Sequence, residues 1–227
     1  MAAGEGQRLR PLTERWAKAV LPIDGRSVLA VLLRAFATAG FGRVWVVTGH
    51  LAEQVERLAG DGSAFGLETR FVRQPSALGS ADAVRRALEA SATVPVLVSA
   101  ADTVFSPGDI GRFAARFTES GAGGAVAVRL DPPPGPARYP VRRDGERITR
   151  IRDDDDTNPW SAAPLWVFDG GIAEYLCRDR PPYELENAFQ AAIDAGETVL
   201  AIEIGNTRDL TYPLDLVERN FPYLRSI

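Results

Sequence analysis

The chain has 227 residues, 45% of them hydrophobic and 25% charged, with a net charge of −4. That suits one large α/β domain with an ample core and argues against general nucleic-acid binding, which needs a basic face. The single Cys177 excludes an internal disulfide framework, as expected of a reducing cytosol; no apolar run reaches the ~18–20 residues of a membrane span, and no signal peptide is expected.

The first eighteen residues read as a loop. Gly4 and Gly6 lack a Cβ, so the backbone there can turn tightly and bring N–H groups onto an anion. Arg8 adds a planar fork that matches phosphate oxygens, and Lys18 a compact point charge. Lys18 is the one lysine among 26 Lys and Arg residues. Donors bracketed by two cations suit a triphosphate or pyrophosphate better than a neutral ligand.

Further along, Ser27 to Ala39 reads as a buried helix with Ser27 as N-cap, and Arg43 to Thr48 as a fully buried parallel strand. Leu51 to Ala59 is a short amphipathic helix, and Leu67 to Arg73 alternates as a half-buried strand. Gln74 to Ala81 is a loop, with Ser80 capping a helix over Ala81 to Ala90; Val94 to Ser99 is another buried strand, ending at Asp102. A helix follows over Pro107 to Thr118 and a strand over Gly124 to Leu130. Next come a stiff Pro132–Pro136 turn and two short strands around Asp144-Gly145. Four aspartates, Asp153 to Asp156, precede a strand over Ala163 to Phe168. Helices over Gly171 to Leu176 and Glu184 to Ala195, a strand over Thr198 to Ile204 and a helix over Tyr212 to Asn220 complete the chain.

Strands alternating with helices give an α/β fold, a Rossmann-like doubly wound and mostly parallel sheet with ligands beyond the carboxyl ends of its strands. Asp102, just past a buried strand, then faces the ligand crevice and suits Mg²⁺, which takes one or two carboxylates plus phosphate oxygens. His50 and Cys177 have no partner residues in sequence; His50 reads as a loop residue and Cys177 as core.

The opening stretch lacks the third glycine of the dinucleotide fingerprint and the Gly-Lys-Ser/Thr of the Walker pattern. A-A-G-E-G-Q-R-L-R-P-L-T followed by A-K-A-V-L-P-I instead resembles the signature of the sugar-phosphate nucleotidyltransferases, the NDP-sugar pyrophosphorylases, with Ala17 where proline is usual. Q-P-S-A-L-G-S-A-D-A from Gln74 and the stretch from Gly205 to Leu216 are similar to two further family segments. The resemblance implies a nucleotide-diphospho-sugar transferase fold over residues 1–227 as a single domain. About 1–130 would bind nucleotide, and about 131–227 would hold the acceptor in a small hairpin-containing lobe.

It also implies roles. Ala2, Ala3, Gly4, Gly6, Gln74 and Gly79 bind the nucleotide, Arg8 takes the leaving pyrophosphate and Lys18 the α-phosphate, Asp102 and Asp209 hold Mg²⁺, and Glu184 contacts a sugar hydroxyl. The family's V-I-L-A-A-G strand has no counterpart before Met1. Either the start lies upstream, the favoured expectation, or the strand is lacking and the sheet has a gap. The acceptor side departs from the pattern: the family's lysine is missing from residues 150–156, and Ser161-Ala162-Ala163 stands for N-A-G.

The expected activity joins an NTP to a sugar 1-phosphate in the cytoplasm, without nucleic acid or membrane, with homo-oligomerisation left open. Two alternatives stand beside it: a non-sugar phosphomonoester acceptor (phosphocholine, inositol phosphate or heptose phosphate), and a catalytically silent nucleotide-sugar-binding regulator.

Overall fold

The computed structural model describes residues 1–130, 139–155, 157–178 and 180–221. The expected proline turn and Asp156 lie outside the described residues. In chain order the elements are β1 (Pro22–Ile23), β2 (Arg26–Ser27), α1 (Val28–Thr38), β3 (Arg43–Thr48), α2 (Ala52–Ala59), β4 (Glu68–Arg73), α3 (Ser80–Glu89) and β5 (Val96–Ser99). Then follow β6 (Thr103–Val104), α4 (Asp109–Ser120), β7 (Gly124–Leu130), β8 (Val141–Asp144), β9 (Arg147–Ile151) and β10 (Trp160–Phe168). The last are α5 (Gly170–Ala173), α6 (Leu185–Asp194), β11 (Val199–Glu203), β12 (Arg208–Asp209) and α7 (Pro213–Asn220). The fold is mixed α/β, and among the described residues no helix is long and apolar enough to cross a membrane.

The chain forms two compact units. One holds Met1–Ala77, Ala100–Gly108 and the chain from Thr207 onward; the other holds Leu78–Ser99 and Asp109–Asn206.

The first unit carries three small strand pairs. β3 and β4 are parallel, Val46 opposite Phe71. β1 and β2 form a hairpin around Asp24-Gly25, where both φ angles are positive as such a two-residue turn requires. β6 and β12 are antiparallel, with Asp209 opposite Thr103. β3 is parallel as expected but not fully buried: Arg43 is exposed and pairs with Glu68, and only Val46 to Thr48 are buried. Ala2 makes a one-residue parallel bridge to Thr48, its N–H donating to the Val47 carbonyl at 2.7 Å. α1 buries Val28, Leu29, Leu32, Leu33 and Phe36, one stripe at helical spacing. Ser27 stands at its N-cap position, but its hydroxyl donates to the Ala19 carbonyl instead.

The second unit is built on a six-stranded sheet in the order β5-β10-β7-β11-β9-β8. β5, β7, β11 and β8 run one way, and β10 and β9 the other. Its centre is apolar: Ala125 to Val128 of β7 are fully buried, and Phe168 and Phe189 meet edge to face at 5.8 Å. The register of β10 against β7 shifts between Ala162 and Trp166, around Pro164, which has no N–H to give to the ladder. β5 is shorter than expected: it begins at Val96, and Val94 before the Val94-Pro95 bond is exposed. Cys177 is half-buried rather than core. Burial raises its thiol pKa against the hydrogen bond from Arg85.

Candidate functional site

The glycine loop is held by one buried anchor and several hydrogen bonds. Leu9 is 1% exposed and packs in a cluster with Leu21, Ile23, Val28, Val104 and Leu210. Val104 lies in β6, directly after Asp102 and Thr103, and Leu210 directly after Asp209. The apolar residue of the signature thus fixes Arg8 beside the two segments that carry the predicted metal ligands. Gly6 has φ +62°, and a Cβ there would lie 2.9 Å from the Thr13 methyl, so the turn requires glycine. Thr13 closes it by donating its hydroxyl to the Gly6 carbonyl at 2.9 Å.

Inside this frame the N–H groups of Gly4, Glu5, Gly6, Gln7 and Arg8 donate to no acceptor among the described residues. Leu9 and Arg10 are the next donors, to the Gly6 and Gln7 carbonyls. Two cavities open beside the loop. One, of about 200 Å³, is lined by Met1, Ala2, Gly4, Lys18, Ala101 and Asp102, among others. The other, of about 180 Å³, is lined by Gly6, Gln7, Arg8, Leu9, Lys18 and Thr211. Lys18 borders both, and its ammonium forms an ion pair with Asp102.

Asp209 is placed by β12. Its carboxylate accepts from the Thr103 hydroxyl at 2.5 Å and from the Thr207 hydroxyl at 3.2 Å. Asp215, in the first turn of α7, accepts from the N–H groups of Thr211 and Tyr212. Gln74 is buried, and its N–H donates to the Thr48 carbonyl at 2.8 Å.

Two residues without an assigned role in sequence tie the loop down. The His50 N–H donates to the Ala3 carbonyl at 3.2 Å, and its Nε2 lies 2.7 Å from the Thr13 carbonyl oxygen. Gln54 of α2 donates to the Arg15 carbonyl at 2.7 Å and accepts from the Ala17 N–H at 2.9 Å. These contacts set the backbone immediately before Lys18. The polar face of an amphipathic helix is a visible signal, but its register against the loop is not.

The remaining predicted residues, Gly79 and Glu184, belong to the second unit, where they join α3 to the start of α6. Gly79, at φ +109°, passes so close to Tyr183 that a Cβ would collide with its backbone. The Glu184 carboxylate accepts from the Ser80 N–H at 3.0 Å and from the Ser80 hydroxyl at 2.5 Å, and the Ser80 oxygen accepts from the Leu185 N–H at 2.8 Å. Ser80 therefore does not cap its own helix as expected; Gly79 holds that position. In the first turn of α6, burial raises the Glu186 carboxyl pKa, against a backbone hydrogen bond and the Arg152 charge 3.9 Å away.

The family model of the nucleotidyl transferases matches residues 1–218. The chain belongs to the nucleotidyl transferase family. It is 25% identical over 230 residues to the low-salt glycan biosynthesis nucleotidyltransferase of Haloferax volcanii, covering 97% of this chain and 64% of that protein. It is 27% identical over 228 residues to the glucose-1-phosphate thymidylyltransferase of Streptomyces griseus, again covering 97% of this chain and 64% of the relative. The chain therefore spans about 64% of the length of these two relatives. Among solved structures, the inositol-1-phosphate CTP transferase of T. maritima superposes with a TM-score of 0.80 at 20% identity, covering 94% of this chain and 88% of that one. The UDP-glucose pyrophosphorylase of Acinetobacter baumanii gives 0.77 at 19% identity, with 98% and 90% covered. At that identity the likeness establishes a shared nucleotidyltransferase fold.

Proposed function

We propose that this chain transfers a nucleotidyl group from an NTP to a sugar 1-phosphate, releasing pyrophosphate and an NDP-sugar. The carrying observation is the loop in the first unit: five consecutive N–H groups without a described acceptor, beside Arg8 and Lys18. An oxygen of the acceptor phosphate attacks the α-phosphorus in line, and the bond to the bridging oxygen of the β-phosphate breaks. Such a reaction needs positioning and charge neutralisation rather than a covalent protein nucleophile. The loop N–H groups and Arg8 take the pyrophosphate oxygens, and Lys18 takes the charge that grows on the α-phosphate.

Asp102 and Asp209 would hold Mg²⁺. The donor chemistry fits: β6 carries Thr103, adjacent to Asp102 in sequence, opposite Asp209. No group of three or more His, Cys, Asp and Glu suited to a metal occurs among the described residues. Two carboxylates completed by substrate oxygens match magnesium better than a metal that needs a full protein cage. When bound, Mg²⁺ supplies charge neutralisation at the phosphates. Ala2, Ala3, Gly4 and Gln74 would frame the base, and we place the reaction in the cytoplasm.

A second reading keeps the chemistry and changes the acceptor to a non-sugar phosphomonoester. It is favoured by the carboxylate of Glu184, expected on a sugar hydroxyl, which is held by Ser80. The test follows pyrophosphate release with Mg²⁺, each of five nucleoside triphosphates and a panel of sugar 1-phosphates, phosphocholine and inositol phosphate. Acceptor-dependent release is expected, and the active acceptor separates the two readings. Nucleotide-sugar binding with no release for any pair would overturn both in favour of a silent regulator.

A further inference from the structure

We propose that Lys18 is the counterion of Asp102 in the free protein and yields that carboxylate to the divalent cation, moving its ammonium to the phosphate as it does so. This rests on the reading of Asp102 as a metal ligand. Lys18 makes its ion pair with Asp102 and has no other described hydrogen-bond or ion-pair partner. The two side chains are only 22% and 27% exposed, so the pair is shielded well enough to matter, unlike a surface pair. An ammonium on one Asp102 oxygen and a divalent cation on the same carboxylate repel each other and compete for its negative charge.

The lysine has somewhere to go. It borders the Asp102 cavity on one side and the Gly6–Arg8 cavity on the other. Its backbone stays in place, since Ala17 N–H is tied to Gln54 and the Leu21 N–H donates to the Lys18 carbonyl at 3.2 Å. The exchange is therefore a rotation of the four-carbon stem. It also accounts for the lysine in a chain whose other 25 cationic side chains are arginine. A guanidinium would grip Asp102 with two parallel hydrogen bonds, whereas an ammonium makes a point contact that is easier to release. Metal and polyphosphate then bind as a coupled pair: the metal frees the lysine, and the phosphate receives it.

Binding of Mn²⁺ alone, read from the EPR signal of the free ion, tests this on the full chain without nucleotide. Lys18→Met is expected to bind Mn²⁺ roughly tenfold tighter than wild type, within the range of site-to-site couplings. Arg8→Met removes the same charge from the neighbouring cavity and is expected to change affinity by no more than about twofold, as a screened charge does. Equal affinity of wild type and Lys18→Met, with Asp102→Asn losing binding, would overturn the exchange and leave the metal site standing. Mn²⁺ binding to none of them would remove the metal assignment and this inference with it; pyrophosphate release judges the transferase separately. Wild-type protein gives a second readout that needs no variant. Its one lysine yields a single ¹⁵N-labelled Nζ signal, expected to shift on adding Mg²⁺ alone; a signal that stays in place while Mg²⁺ is bound would overturn the proposal.

Discussion

Arg8 and Glu184 both match charged positions of one family pattern, yet the two units treat them differently. Arg8 is exposed and has no described hydrogen-bond or ion-pair partner, and the N–H groups from Gly4 to Arg8 are likewise without an acceptor. Glu184 has its carboxylate on Ser80, and Gly79 is pressed against Tyr183. In the first unit an apolar anchor, Leu9, holds the backbone and leaves the polar groups beside it uncommitted. In the second unit the matched residues themselves join two helices. A motif match therefore says which residue type a position needs, while the local packing says whether its chemistry is available to a ligand.

The contrast can be broken most directly at Lys18. Lys18→Ala is expected to slow turnover by roughly 10²–10³-fold, the scale of losing one charge-stabilising group at a transition state. Near-wild-type turnover would remove the chemistry assigned to the first unit. Leu9→Ala should cost about 2–5 kcal/mol in denaturant unfolding, the range for buried leucines. It should lower activity too, because Leu9 carries the loop. Full activity in a folded Leu9→Ala protein would show that the anchor does not set the loop geometry.

In the second unit the expected effects are on stability. Gly79→Ala should destabilise by about 2 kcal/mol or more, from a positive φ and a backbone clash together. Glu184→Gln is expected to cost about 1–2 kcal/mol by weakening a charged hydrogen-bond pair. A change confined to the acceptor KM, with stability intact, would reverse the contrast and give Glu184 a ligand role.

The smallest effect is expected at Glu186, whose pKa is raised from the ordinary 4.5, chiefly by burial. The folded state then holds the proton more tightly than the unfolded state. Stability falls as pH rises from about 4.5 through the higher folded value. Glu186→Gln should raise the unfolding midpoint at pH 7 and leave it unchanged near pH 4. A loss at pH 7 would mean that the contact with Arg152 outweighs burial.

Much of this was legible in the chain. Gly124 to Leu130 and Arg43 to Thr48 are strands with the expected ends, because β-branched apolar runs between turn residues have few other ways to satisfy their backbone. The hairpin at Asp144-Gly145 follows from the φ > 0 that its turn demands. The same Asp-Gly signal stands at Asp24-Gly25, where β1 turns into β2. β6 and β12 were not legible: each is two residues long, and their pairing brings together Thr103 and Asp209 from distant parts of the chain. The antiparallel course of β10 also escaped, since an apolar run has no direction until its neighbours are known.

The sequence by itself determined the family, the glycine turn at Gly6, the cations Arg8 and Lys18, and the identity of most strands and helices. These depend on local backbone preferences and on residue types at fixed spacing. Only the tertiary structure decided that Lys18 meets Asp102, that Leu9 packs among residues flanking both aspartates, and that Glu184 is held by Ser80. Those contacts join positions far apart in the chain, and side-chain partners at such separations are chosen by packing, which no local pattern encodes.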